Sequence, residues 1–137
     1  MASNDIGSRH LQVWASLFIG GALLLVGIAG FLQAPEEGLL FGVFGVNAFH
    51  NAFHAVTGIA GLSAGWYRRG AYAPTFNLVV GLVFLLLFLS GLVASATMNE
   101  LLNANTADDF LHLFLGIVLL GAWIVADRVP RERAART

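Results

Sequence analysis

The same polar pattern occurs twice in this chain, 58 residues apart, inside two strongly apolar segments. The two copies are Asn47-x3-Asn51-x2-His54-x3-Gly58 and Asn105-x3-Asp109-x2-His112-x3-Gly116. Because each residue of an α-helix advances by about 100°, steps of 4, 3 and 4 residues return to nearly the same bearing. Each copy therefore predicts a narrow polar stripe that ends in a glycine on an otherwise apolar helix.

The composition indicates that these stripes lie in a membrane protein. The chain has 137 residues, of which 58% are hydrophobic and 11% are charged, whereas soluble domains average roughly 25% charged residues. A polar stripe in lipid is costly unless it is buried against protein. The net charge of −1 gives no general attraction to nucleic acid, and the lack of cysteine excludes disulfides, iron–sulfur clusters and thiolate metal sites.

Four segments approach the roughly 20 apolar residues that a transmembrane helix needs. They are, approximately, Val13–Leu32, Phe49–Trp66, Phe76–Thr97 and Phe110–Ala126. The apolar stretch 39–46 is too short to cross, so we expect it to lie in the membrane interface or over the mouth of the helices. We interpret residues 1–137 as a single transmembrane domain.

The positions of the charges predict the orientation. In a four-span topology all the arginines fall on one side, namely Arg9, Arg68, Arg69, Arg128, Arg131, Arg133 and Arg136. The acidic residues of the loops and helix starts fall on the other side, namely Glu36, Glu37, Glu100, Asp108 and Asp109. The positive-inside rule then predicts that both termini are cytoplasmic.

The repeat predicts an all-α fold, a four-helix transmembrane bundle made of two similar hairpins. The hairpins span about 13–66 and about 76–126, and a pseudo-two-fold axis along the membrane normal would relate them. In that arrangement His54 and His112 lie at equal depth and face each other.

The paired patterns also carry a resemblance to a known family. Together with the run Phe-Gly-Val-Phe-Gly-Val before Asn47, they resemble a prokaryotic membrane family that is catalogued as domain of unknown function 4383. The resemblance implies a four-span bundle in the plasma membrane of bacteria or archaea. It implies no activity.

The leading interpretation of the stripes is a clasp between helices. We expect His54 to pair with Asp109 and His112 to pair with Asn51, because polar groups in a bundle satisfy one another across helices. The remaining members of the expected polar cluster are Asn47, Asn105 and Asp108.

The alternative interpretation is a cofactor or metal site. His54 and His112 are the candidate axial ligands of a haem b, or two ligands of a divalent metal, since bundles build such sites from facing helices. His50 lies one helical turn before His54, so His50 and Asp109 complete the candidate set of metal ligands.

Small residues continue the stripes beyond the histidines. They allow close approach of neighbouring helices, and we predict this packing role for Gly58, Gly61, Gly65 and Gly116.

Three functions are compatible with these patterns. The first is a non-enzymatic membrane bundle that acts as an accessory or scaffold subunit, within the lipid bilayer and as a homo-oligomer or part of a larger membrane complex. The second is a redox or metal-binding protein that uses the histidines. The third is a proton-coupled carrier of small solutes, since ionisable residues near a repeat axis can mark a pathway.

Overall fold

The computed structural model describes the backbone of residues 2–134 and the side chains of residues 7–126. The chain is mostly helical, with one small two-stranded sheet among the described residues. Its elements are α1 (Ala2–Gln33), β1 (Glu37–Leu40), β2 (Phe44–Asn47), α2 (Ala48–Trp66), α3 (Ala73–Val93), α4 (Ser95–Leu102) and α5 (Thr106–Ala134), with a short 3₁₀ turn, Tyr67–Arg69, after α2.

Three helical segments of the described chain are long and apolar enough to cross a membrane. They are Gly7–Gln33, Ala73–Val93 and Thr106–Ala126, and they confirm three of the four expected spans. The fourth, α2, has 19 residues and a length of about 28 Å at 1.5 Å per residue. It is long enough to cross, but the amide and imidazole groups of its first turns lower its mean hydropathy. It is therefore less apolar than the three segments above.

The ends of two helices differ from the expectation. The helix α1 begins at Ala2, so the polar lead before Val13 continues the helix. The helix α3 ends at Val93, because Ala94 leaves the helical conformation and the polar sequence from Ser95 onward forms the separate helix α4. Thr97 therefore belongs to α4. The arginines at 128, 131, 133 and 136 lie outside the residues whose side chains are described.

The short apolar stretch after α1 forms a β-hairpin. Strands β1 and β2 are antiparallel, with Glu37 opposite Asn47 and Leu40 opposite Phe44. Phe41 and Gly42 have φ values of 54° and 71°, as the central residues of a type I′ turn do. The strictly all-α expectation was wrong for this segment. The hairpin was not predicted because this sequence lacks the Asn-Gly or Asp-Gly signal that usually marks such a turn.

The helices pack in two antiparallel pairs, α1 with α2 and α3 with α5, and α1 also contacts α3 and α5. The glycines of the stripes lie at these contacts, as predicted. A Cβ added at Gly58 would overlap the backbone nitrogen of Leu24, and one at Gly61 would lie 2.8 Å from the Cα of Gly20. A Cβ at Gly65 or Gly116 would instead press on the leucine side chains of Leu17 or Leu85.

We predict that Gly58→Ala lowers the stability of the protein in detergent by about 1–3 kcal/mol, the usual cost of overpacking a close contact. The new methyl group would meet backbone atoms of α1, which cannot rotate away. Thermal unfolding followed by circular dichroism measures the effect.

Gly121→Ala is the matched control, because a Cβ at Gly121 meets no atom within 4 Å. An equal loss of stability in both variants would contradict the close packing of α1 on α2.

Candidate functional site

The two copies of the polar pattern begin at the N-caps of α2 and α5. The Oδ1 atom of Asn47 accepts a hydrogen bond from the backbone N–H of His50, at 2.9 Å. The Oδ1 atom of Asn105 accepts from the N–H of Ala107, at 2.8 Å, and from that of Asp108, at 3.3 Å. Asparagine is among the best N-caps because its side chain satisfies helix-terminal donors that have no partner in the helix.

The second helix start is a reciprocal capping box formed by Asn105 and Asp108. The Oδ2 atom of Asp108 accepts from the N–H of Asn105, at 2.8 Å, which returns the bond that Asn105 makes. The sequence Thr106-x-x-Asp109 also has the spacing of a capping box, but the structure forms the box one residue earlier. The repeat places His50 and Asp108 at the same position of their respective helices.

Three asparagines tie the β-hairpin to the second half of the chain. The cap, as we use the word, consists of three parts: the hairpin Glu37–Asn47, the helix α4 and residues 103–105. The Nδ2 atom of Asn103 donates to the carbonyl oxygens of Gly38 and Val46, both at 3.1 Å. Asn47 donates to the carbonyl oxygen of Leu101, and Asn105 donates to that of Val43. Side chains from both halves thereby satisfy the backbone of the other half.

Gly45 joins His50 to Asp108 inside the cap. The Nδ1 atom of His50 lies 3.1 Å from the carbonyl oxygen of Gly45 and 3.0 Å from that of Leu102. Both of these groups only accept, so Nδ1 carries the proton. The N–H of Gly45 donates to Oδ2 of Asp108, at 2.9 Å. Glycine is required here, because a Cβ on Gly45 would overlap the carbonyl oxygen of Asn103.

Three histidines converge directly below the cap. His50, His54 and His112 are each at least 97% buried, and each presents one ring nitrogen within 4.8 Å of the others. The Nε2 atoms of His50 and His54 are 2.8 Å apart. The His112 ring stacks on Phe84, with centroids 5.4 Å apart. The expected approach of His54 and His112 is therefore present, and His50 lies with them.

The expected clasp partners are different in the structure. His54 bonds to His50 and not to Asp109, and Asn51 donates to the carbonyl oxygen of Ala34, at 3.0 Å, and not to His112. The carboxylate of Asp109 lies against Gly91 and lines an open cleft of about 370 Å³. Asp109 is therefore not part of the histidine cluster, in contrast to the expected ligand set.

A second polar network, which the sequence patterns did not reveal, ties α1 to α2 and α3. The Nδ2 atom of Asn77 donates to the backbone oxygen of Gln12, at 3.0 Å, and to its Oε1, at 2.6 Å. The hydroxyl of Ser16 donates to the carbonyl oxygen of Gly61, at 2.8 Å. These are isolated polar residues within apolar helices, and that isolation was the available signal.

Comparison with known proteins identifies the family. The family model described as "Domain of unknown function (DUF4383)" matches residues 13–125. The chain belongs to this family. The DUF4383 match includes both histidine patterns and the cap, and it confirms the resemblance drawn from the sequence. No curated protein and no solved structure matches the chain.

We predict that Asp108→Asn lowers the stability of this DUF4383 protein by about 1–3 kcal/mol, since two hydrogen bonds to a charged acceptor then become weaker bonds to a neutral one. The N–H groups of Gly45 and Asn105 both donate to Oδ2 of Asp108, so an asparagine oxygen in that position keeps both bonds but without the negative charge. Thermal unfolding in detergent measures the loss.

Asp109→Asn makes the same chemical change one residue later, on a side chain that lines the open cleft. We expect it to unfold close to the parent temperature. If Asp109→Asn were the more damaging of the two, the capping role given to Asp108 would be wrong.

Proposed function

We propose that the protein is a non-enzymatic integral membrane protein of four spans, an accessory or scaffold subunit whose polar residues hold its two hairpins together. The observation that carries this proposal is the cap, in which side chains from both halves bond to the backbone of the other half. Such reciprocal bonding uses the polar groups for cohesion. It leaves the cap asparagines and Asp108 engaged with the protein itself.

Equivalent contacts in the two halves support a bundle of twin hairpins. A Cβ at Gly30 of α1 would overlap Oδ1 of Asn51, and a Cβ at Gly91 of α3 would overlap Oδ1 of Asp109. Lower down, Gly58 faces the carbonyl oxygen of Gly20, and Gly116 faces that of Gly81. These two contacts of the first hairpin therefore have counterparts in the second, and the offset is 61 residues in α1 and α3, against 58 in α2 and α5.

The distribution of charges and aromatic rings supports cytoplasmic termini in a prokaryotic plasma membrane. The guanidinium group of Arg9 donates to the carbonyl oxygen of Arg69, at 3.2 Å, so these arginines lie at one end, which we call the arginine end. Trp66 is exposed beside them, as aromatic residues at a membrane interface are. Glu37 lies at the opposite end, in the cap.

An apolar layer between the two polar networks argues against a solute carrier. The side chains of Leu23, Phe84 and Leu119 are at least 97% buried and belong to one core cluster. They lie between the histidines and the network of Gln12, Ser16 and Asn77. A pathway for protons or polar solutes would have to cross this dry layer.

The outer faces of the helices fit a lipid environment. Large apolar side chains such as Phe18, Leu32, Leu86 and Val93 are more than 60% exposed, far more apolar surface than a soluble monomer presents. We propose that lipid covers these faces, and that the subunit acts in a homo-oligomer or in a larger membrane complex.

Cysteine labelling tests the four-span topology directly, because the natural chain has no cysteine. Thr97→Cys lies exposed in the cap and Ala71→Cys lies exposed at the arginine end. We expect a membrane-impermeant maleimide to label Thr97→Cys in intact cells and to label Ala71→Cys only after the membrane is opened.

Glu37→Cys, also exposed in the cap, is the matched control and should behave as Thr97→Cys does. Labelling of Ala71→Cys and Glu37→Cys from the same side would show that α2 does not cross. The four-span proposal would then fail.

A further inference from the structure

We propose that His50, His54 and His112 form a binding site for one divalent transition-metal ion of the zinc type. Their three ring nitrogens lie within 4.8 Å of one another in the buried interior. Two of the rings come from one helix at i and i+4, and the third comes from α5, so an ion would join the two hairpins. This site is separate from the cap bonds on which the proposed function rests.

The orientation of His50 is the one that a metal ligand needs. Its Nδ1–H is directed to the carbonyl oxygens of Gly45 and Leu102, so Nε2 carries the lone pair of the ring, which points at His54. Metal-binding histidines usually donate their second N–H to a carbonyl or carboxylate, which fixes both the tautomer and the ring orientation. The cap therefore fixes the tautomer and the orientation of the His50 ring, with Nε2 able to bind an ion.

The buried charge next to the cluster also favours a cation. The carbonyl oxygen of Gly45 accepts from His50, and the N–H of the same residue donates to Asp108. A hydrogen-bonded chain thus runs from the imidazole through one backbone residue to a carboxylate. Within a low-dielectric interior, this negative group offsets part of the positive charge that an ion would bring.

The histidines do not satisfy one another without a further ligand. His54 makes its one hydrogen bond to Nε2 of His50, and its Nδ1 atom is buried with no partner. An unsatisfied buried polar atom costs about 1–3 kcal/mol. The three rings alone therefore do not form a satisfied clasp. An ion on the Nε2 atoms would bond to all three rings, and the proton that lies between His50 and His54 would move to Nδ1 of His54.

The donor set and the distances select the kind of ion. Imidazole nitrogens suit zinc, copper, nickel and cobalt, and they do not suit magnesium or calcium. With bonds of about 2.0–2.1 Å in a tetrahedral site, two nitrogens on one ion lie about 3.3–3.4 Å apart. The Nε2 atoms of His50 and His54 are 2.8 Å apart, so the two rings need to separate by only about 0.5 Å to bind one ion.

The same distance disfavours a haem. A porphyrin surrounds its iron with four pyrrole nitrogens and leaves only two axial positions for histidine. The Nε2 atom of His50 lies beside Nε2 of His54, in the space that the porphyrin ring would need. A compact ion with three protein ligands and a fourth position for a small ligand fits instead.

Cobalt and zinc titrations test the site in the full-length protein, purified in detergent without a polyhistidine tag and treated with a chelator. We expect one Co²⁺ per chain, seen as visible d–d absorption, and we expect one equivalent of Zn²⁺ to displace it. Loss of a second-shell group typically weakens metal binding 10–100-fold. We therefore expect His54→Ala and His112→Ala to weaken Co²⁺ binding by at least about 100-fold.

His10→Ala is the matched control, because His10 is exposed on α1 at the arginine end and should not change Co²⁺ binding. Circular dichroism checks that each variant is folded, and His112→Gln replaces His112→Ala if the latter unfolds. Folded parent protein that binds neither Co²⁺ nor Zn²⁺ would overturn the site, as would equal weakening by His10→Ala. A Soret band that disappears in His112→Ala would overturn it in favour of haem.

Metal binding and membrane topology are measured independently. Failure of the titration leaves the labelling pattern of Thr97→Cys and Ala71→Cys unaffected, so the two proposals can fail separately.

Discussion

The structure depends on the backbone of one residue, Gly45, whose carbonyl oxygen bonds to His50 and whose N–H donates to Asp108. This residue lies where the two halves of the chain meet, and a side chain on it would overlap the carbonyl oxygen of Asn103. Backbone groups in an apolar protein must find partners within the protein. At this end of the helices, the N–H of Gly45 finds its partner in the opposite half and its carbonyl oxygen finds one in its own half.

The cap and the histidines below it act on each other. The carbonyl oxygens of Gly45 and Leu102 hold the His50 ring, and the two Nε2 atoms place His54 against it. Phe84 stacks on His112 from the core side. The three imidazoles are therefore enclosed between a hydrogen-bonded lid and an apolar layer. All three rings are almost fully buried, so a ligand reaches them only when the packing around them opens.

Much of the site could be predicted from the sequence, because its key residues follow helical periodicity. The spacing of the two patterns predicts that His54 and His112 approach each other and that Gly58 packs closely, and the structure places their ring centroids 6.4 Å apart and Gly58 against the backbone of Leu24. It did not predict the hydrogen-bond partners, since periodicity gives the face of a helix and not the contacts across it. His54 was expected to pair with Asp109, but in the structure it pairs with His50 on the same helix.

The cap itself lay beyond sequence reasoning. Residues 39–46 lack the alternation of polar and apolar residues that marks a strand. The turn glycine, Gly42, follows Phe41 and not the Asn, Asp or Gly that usually marks a hairpin. The break between α3 and α4 at Ala94 has no proline to signal it. The network of Gln12, Ser16 and Asn77 was missed because each residue stands alone in its helix. Long-range contacts of this kind are fixed by the packing of the helices.

The most direct test of the central claim is the nitrogen-15 spectrum of the histidine rings in the metal-free protein, with the His50 signals assigned by a His50→Gln variant. A protonated and a bare ring nitrogen resonate in well-separated regions, so the spectrum identifies the tautomer. If Gly45 and Leu102 hold the ring, His50 carries its proton on Nδ1, and that proton exchanges slowly with water. A His50 ring protonated on Nε2, or one in rapid exchange between tautomers, would contradict this account of the cap and of the site below it.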